Sequence, residues 1–367
     1  MSASTKRLPE LDFFRGLVLL IIVVDHIGGS ILSRMTLHAF AWCDAAEVFV
    51  FLGGFAAATA YQALSLRSDA RHAGRRFVRR AFEIYRAFLL TAGLMLLVSA
   101  ILRGCNIEAP NMDATDLDGL IQSPARVLRD ILLLRRQPYL SAVLPMYAFF
   151  ALAVPLVLPL ARSRPVLLGC ASIALWIAAP ALAHTLPVIA DTRWDFNPFA
   201  WQLLFVAGAI TRCQPVYQRL SAHPLGSLVT LLSALCALSI AYQELFLGAV
   251  RVGGVLKQNL HWIRVLSFLS IAWLVANMIR KGWARRLAEW TPVVSEIGRR
   301  GLLCFVAGTV VSLSVDSVLY SLTNGLLNVP MGLAADAIAL SAMVMVAKLA
   351  APRARKPYLP ATSGSSR

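Results

Sequence analysis

Arg15 stands two residues before the first long apolar stretch of the sequence, Leu17–Ile31, and His26 interrupts it. Eleven residues separate them, almost a whole number of turns at about 3.6 residues per turn. A helix therefore places both on one face, roughly 16 Å apart in height. Ionisable groups inside an apolar span usually line a cavity, so this face is a candidate site with a fixed cation at one level and a titratable imidazole at the other. The structural alternative is an Arg15 that snorkels to an interface and a His26 that is merely hydrogen-bonded. Asp25 adjoins His26, but adjacent helical positions diverge by about 100°, so an orienting partner for the imidazole must come from elsewhere. Asp44 and Glu47, at the start of the next apolar segment, reach the same level if the two helices form a tight hairpin. A histidine beside such a carboxylate suits general-base work, whereas both acids are also well placed simply to cap a helix.

Two further constellations could bind ligands. The run Arg75-Arg-Phe-Val-Arg-Arg-Ala-Phe-Glu-Ile-Tyr-Arg86 places Arg76 and Arg80 on one helix face and carries Arg86 towards the apolar stretch, a pattern suited to phosphates or to anionic headgroups. The run Arg193-Trp-Asp-Phe-Asn-Pro-Phe-Ala-Trp-Gln202 supplies Trp194, Asp195, Asn197, Trp201 and Gln202. Aromatic faces and amides of this kind form a sugar-binding surface, although interfacial tryptophan belts explain part of the pattern. Lys257 and Asn259, in the run ending at Arg264, have a similar character, and the two loops meet only if the helices close into a bundle.

The elements that must position these residues follow from hydropathy. Hydrophobic residues make up 58% of the chain, and apolar segments recur at about 12–32, 44–65, 82–102, 139–161, 166–186, 198–212, 225–248, 263–279, 302–322 and 331–350. This composition excludes an ordinary soluble domain and predicts an all-α, polytopic membrane bundle of about ten helices. The net charge of +16 does not imply nucleic acid, because the basic residues sit in short clusters between apolar runs. Those clusters, read as connecting loops at Arg67–Arg80, Arg162 with Arg164, Arg212 with Arg219 and Arg280–Arg300 and as the 353–356 tail, fall on one side, which the positive-inside rule makes the cytoplasm. Both termini lie there. The expected organisation is a cytoplasmic tail over 1–11, a membrane domain over 12–350 with an external loop at about 103–138, and a polar tail over 351–367.

Within the external loop, Leu128, Ile131, Leu132 and Arg135 are spaced for an amphipathic interfacial helix. Gly53, Gly54 and the alanines that follow make a small-residue face for close helix packing. The six cysteines show no paired metal spacing, so no metal site is expected. Cys43 and Cys105, at external helix ends, are a candidate disulfide.

Leu11-Asp-Phe-Phe-Arg15-Gly, Asp25-His26, Asp44-Ala-Ala-Glu47, Arg80-Ala-Phe-Glu-Ile-Tyr-Arg86 and Trp194-Asp-Phe-Asn-Pro-Phe-Ala-Trp together resemble the OpgC family, within the wider transmembrane acyltransferases. The resemblance departs at Phe88, in place of a histidine, and at Glu83, in place of an arginine. It implies a bacterial inner-membrane enzyme that moves an acyl group, succinyl in this family, from acyl-CoA in the cytoplasm to a hydroxyl of a periplasmic glucan. His26 would be the catalytic base, with Arg15, Asp25, Asp44 and Glu47 as its catalytic neighbours and Arg76, Arg80 and Arg86 as donor-binding residues. The acceptor would meet Trp194, Asp195, Asn197, Trp201, Gln202, Lys257 and Asn259. A transporter or flippase for an anionic or lipid-linked sugar is the alternative, disfavoured by the lack of visible internal repeats.

Overall fold

Pro9 opens the first helix, a position where its fixed φ suits the helix and its missing N–H is not needed. That helix, α1 (Pro9–Asp25), starts slightly before the expected apolar boundary at residue 12. The computed structural model describes residues 9–67, 69–189, 192–247 and 255–350, so the tails expected over 1–8 and 351–367 lie outside the described residues.

The second helix, α2, spans Ala45–Arg67. The third, α3 (Ala70–Gly104), corrects an expectation: the basic run 70–80 is not a connecting loop but the opening turns of one 35-residue helix. Asp69 caps it, accepting a hydrogen bond from the His72 amide at 2.6 Å, and alanine and arginine are good helix formers. At 1.5 Å per residue α3 is about 52 Å long, some 20 Å more than the hydrocarbon core of a bilayer. The amphipathic helix expected near 128–135 is α4 (Pro124–Leu132). It buries Val127 and Ile131 while Leu128 and Leu132 stay half exposed, the disposition of a helix lying on an apolar surface.

The remaining helices of eight or more residues are α5 (Val143–Ser163), α6 (Pro165–Leu182), α7 (Pro198–Cys213), α8 (Gly226–Phe246), α9 (Trp262–Arg280), α10 (Trp283–Trp290), α11 (Pro292–Arg299), α12 (Gly301–Thr323) and α13 (Val329–Leu349). The stretch 280–300, expected as a loop, is thus mostly two short helices. No strand occurs among the described residues. Among the described residues eight helices, α2, α3, α5, α6, α8, α9, α12 and α13, are long and apolar enough to cross a membrane. The other two apolar segments form α1 and α7, of 17 and 16 residues. At about 24–26 Å these fall short of a hydrocarbon core of about 30 Å.

The two short helices are central. α1 packs on α2, α11 and α12, and α7 on α2, α5 and α6. Glycines set the closest of these approaches. A Cβ on Gly54 would collide with the Phe205 carbonyl and one on Gly208 with the Phe51 carbonyl; Gly16 and Gly298 stand in the same relation to Val294 and Asp12. Gly54 therefore does the packing expected of it. At the rim, α6 and α8 expose rows of leucine and isoleucine, among them Leu228, Leu231, Leu235 and Leu238, as a lipid-facing surface would. Cys43 and Cys105 are free thiols, the first buried and the second exposed, so the candidate disulfide is not formed.

Candidate functional site

Where α1 stops, the chain turns beside a cavity of about 800 Å³ whose wall includes Asp25, His26, His38, Asp44, Tyr139, Trp194, Asp195 and Lys257. His26 is the first residue past α1, and its Nδ1 lies 2.7 Å from the Ile22 carbonyl. A carbonyl only accepts, so Nδ1 carries the hydrogen in that bond and Nε2 is left with a lone pair, the tautomer a general base requires. The backbone of α1 orients the imidazole, not Glu47 or Asp44 as the hairpin argument expects.

Those two carboxylates have other partners. Glu47 is fully buried; it accepts the Arg264 Nε–H at 2.6 Å and the Asp44 amide at 2.9 Å. Asp44 caps α2 through the Ala46 amide at 2.8 Å and takes Lys257 Nζ at 2.7 Å and Arg264 Nη2 at 3.0 Å. Two anions from the start of α2 thus meet two cations from 257–264 in one buried cluster. Such a cluster is tolerated when each charge is paired and hydrogen-bonded. Arg264, only 3% exposed, was not a sequence candidate, although a second cation seven residues after Lys257 was its signal.

Asp25 also works away from His26. It accepts the Thr36 hydroxyl at 2.6 Å and faces His38 Nδ1 at 3.2 Å, while Thr36 Oγ1 and His38 Nδ1 are 2.9 Å apart. A carboxylate at the last residue of a helix opposes the helix dipole, and that misplaced charge was the clue to a cationic or donor partner in the following segment. The cavity therefore has two imidazoles, one oriented by a carbonyl and the other by a carboxylate.

The turn that carries His26 is held from the far end of the chain. Asp316, in α12, accepts the Gly28 amide at 2.6 Å and the Asn111 side-chain amide at 2.5 Å. Asp336, in α13, accepts the Ile31 and Leu32 amides, both at 3.0 Å. The Ser312 hydroxyl donates to the Val23 carbonyl at 3.0 Å. Both aspartates are buried in apolar helices, and the rule that singled out Arg15 and His26 applies to them equally.

The two acceptor-side loops do converge, since the Asn197 amide donates to the Gln258 carbonyl at 3.1 Å. Within this convergence the expected residues divide. Trp194, Asp195 and Lys257 line the cavity. Asp195 is open to it yet surrounded by protein, and that desolvation raises its carboxyl above the ordinary value, with Lys257 opposing. Asn197, Trp201, Gln202 and Asn259 instead stitch the loops together. Asn197 caps α7 and bonds the Ala179 carbonyl and the Asn259 side chain, at 2.8 and 2.9 Å. Trp201 Nε1 donates to the Lys257 carbonyl at 3.1 Å, and Gln202 exchanges hydrogen bonds with Ser172.

Arg15 lies three turns away from His26 along α1, outside the cavity wall, with its guanidinium against Gly301. It makes no hydrogen bond or ion pair among the described residues and is close enough to Asp12 and Arg80 to feel their charges. Arg76 and Arg80 share Glu83, at 2.7 and 2.8 Å. Arg86 is exposed and stands apart from them, so the three expected donor-binding arginines do not form one cluster.

No curated protein and no solved structure matches the chain. A family model does, the one described as OpgC protein, over residues 7–355, a span that takes in α1, the cavity-lining loops and both carboxylate-bearing C-terminal helices, and the chain belongs to that family.

Proposed function

We propose that the protein is a bacterial inner-membrane O-acyltransferase that moves an acyl group, succinyl by family, from acyl-CoA to a hydroxyl of a periplasmic glucan. The observation that carries this reading is His26, with Nδ1 tied to the Ile22 carbonyl and Nε2 left as the base, on the wall of a cavity of about 800 Å³ shared with Trp194, Asp195 and Lys257. Membership of the OpgC family supports it. His26 Nε2 takes the hydroxyl proton as the oxygen attacks the thioester carbon, and the indole face and charged groups around it hold the sugar. The basic clusters at the opposite end support a periplasmic cavity and a cytoplasmic start of α3. Arg15, near Arg80, then lies towards the donor side, where an anionic thioester would be drawn in.

Mass spectrometry of periplasmic glucans from cells with and without the chain tests the reading, since it reports acceptor and acyl mass together. Glucans that gain the acyl mass only when the intact chain is present are the expected result. Identical glucans, with acyl-CoA untouched by membranes containing the protein, would overturn it and favour sugar transport without covalent chemistry.

A further inference from the structure

Tyr139 has a side chain that the account so far does not use. It opens a short 3-10 turn, Tyr139–Ala142, and lines the cavity beside His26. Its ring meets the imidazole edge to face, with centroids 6.5 Å apart and planes at 88°. Its hydroxyl has no hydrogen-bond partner among the described residues, although a phenol in so enclosed a place ordinarily finds one. Nearby, Gln137 presents to the same cavity a side-chain oxygen that is likewise buried and unpartnered.

The backbone is set to keep the phenol there. Tyr139 has φ of +33°, a conformation that a bulky L residue adopts only when its surroundings enforce it. Its amide is fixed by the Ala114 carbonyl at 2.9 Å. The preceding residues are fixed too: the Arg135 and Arg136 amides donate to the Asp130 carbonyl at 2.8 and 3.1 Å, and the Arg136 side chain pairs with Asp116. A hydrophobic role alone needs neither the strained backbone nor an unpartnered hydroxyl in a cavity. An unpartnered donor beside a base is what acyl transfer needs for the oxygen that becomes negative as the carbonyl is attacked.

We propose that Tyr139 is a catalytic residue, the donor that stabilises the oxyanion of the acyl-transfer step; the inference rests on the acyltransferase reading above. The acceptor oxygen forms the new bond to the thioester carbon, its proton passes to His26 Nε2, and the carbonyl oxygen takes the negative charge against the Tyr139 O–H. Collapse restores the carbonyl and breaks the carbon–sulfur bond. The electron pair leaves on sulfur, and the resulting thiolate takes up the proton held by His26. Tyr139 keeps its own proton throughout.

The test is acyl transfer by membranes bearing wild type, Tyr139→Phe, Tyr139→Ala and His26→Ala, normalised to folded protein. Tyr139→Phe keeps the ring on His26 and removes only the hydroxyl. It should lower kcat on the order of 10²- to 10³-fold with KM for both substrates nearly unchanged. Wild-type rates in Tyr139→Phe, with or without loss in Tyr139→Ala, would reduce the residue to ring packing and overturn the proposal. Failure of Tyr139→Phe to accumulate would also overturn it, by showing that the hydroxyl has a structural partner. Absence of transfer by the wild type would bring down the acyltransferase reading itself. Transfer that His26→Ala abolishes but Tyr139→Phe spares would leave that reading standing and remove Tyr139 alone.

Discussion

The turn after α1 and the opening turns of α3 are both rich in ionisable groups, yet they are built on different terms. In the first, the carboxylates are buried and bonded across long sequence separations: Glu47 to Arg264, Asp316 to Gly28, Asp336 to Ile31. In the second, Arg76 and Arg80 meet Glu83 along one helix, and all three side chains are more than a third exposed. Exposed pairs along a helix contribute about 0.3–0.5 kcal/mol each. Removing one partner of a buried pair costs about 3–5 kcal/mol, because the other charge is left desolvated. The first region therefore fixes a geometry, while the second supplies a field and leaves its side chains free to rearrange around a ligand.

The largest effect expected from breaking this contrast is chemical. His26→Ala should lower acyl transfer by about 10²- to 10⁴-fold while the protein still accumulates, since a base is lost but no buried ion pair is opened. A well-expressed variant with near-normal transfer would remove His26 from the mechanism. Next comes Arg264→Leu, which strands Glu47 and leaves Asp44 with Lys257 as its one cation, and should destabilise the fold by about 3–5 kcal/mol, read as a lowered melting temperature in detergent. Arg76→Leu, in the exposed region, should shift the same melt by less than about 1 kcal/mol; equal shifts would erase the distinction between the two regions.

A smaller effect sharpens the picture of the turn. Asp336→Leu leaves the Ile31 and Leu32 amides without an acceptor, at about 1–3 kcal/mol for each stranded donor, whereas Asp336→Asn retains one acceptor and should fall between it and wild type. Indistinguishable melts for the two variants would show that these hydrogen bonds do not hold the turn. The smallest effect belongs to the start of α3. Arg86→Gln should raise the KM for acyl-CoA a few-fold, and Arg80→Gln by less, because Glu83 already occupies the Arg80 guanidinium. Unchanged donor KM in both would move the thioester's phosphates to Arg15 or to the Arg285–Arg286 helix.

Hydropathy made the helical segments legible, and the intramembrane charge rule found His26. The same rule, applied to the segments at 302–322 and 331–350, points to Asp316 and Asp336, which were passed over because no second charge lay a whole number of turns away. The pairing of Glu47 with Arg264 was not legible, because it depends on which helices close the bundle and not on spacing within one of them. The opposite error occurred at 67–80. There positive charge read as a loop, although arginine and alanine behind an aspartate cap are good helix-forming material, and a helix satisfies the positive-inside pattern as well as a loop does. At the loops that carry Trp194 and Lys257 residue types alone do not assign roles, since tryptophan and asparagine serve equally to face a ligand and to fasten one loop to another.

The clamp on the His26 turn also fixes when the site comes into being. Gly28 is separated from Asp316 by 288 residues, and Leu32 from Asp336 by 304. During synthesis the histidine therefore reaches the membrane long before the groups that set its turn. Contacts of such sequence separation form only after the intervening chain has been laid down and its loop closed. A nascent chain that lacks α13 already contains the proposed base and most of the cavity wall, yet two of the amides that shape the turn still have no acceptor. On the proposed reading, competence for acyl transfer then arrives only with α13, and a chain that stops short of it stays inert.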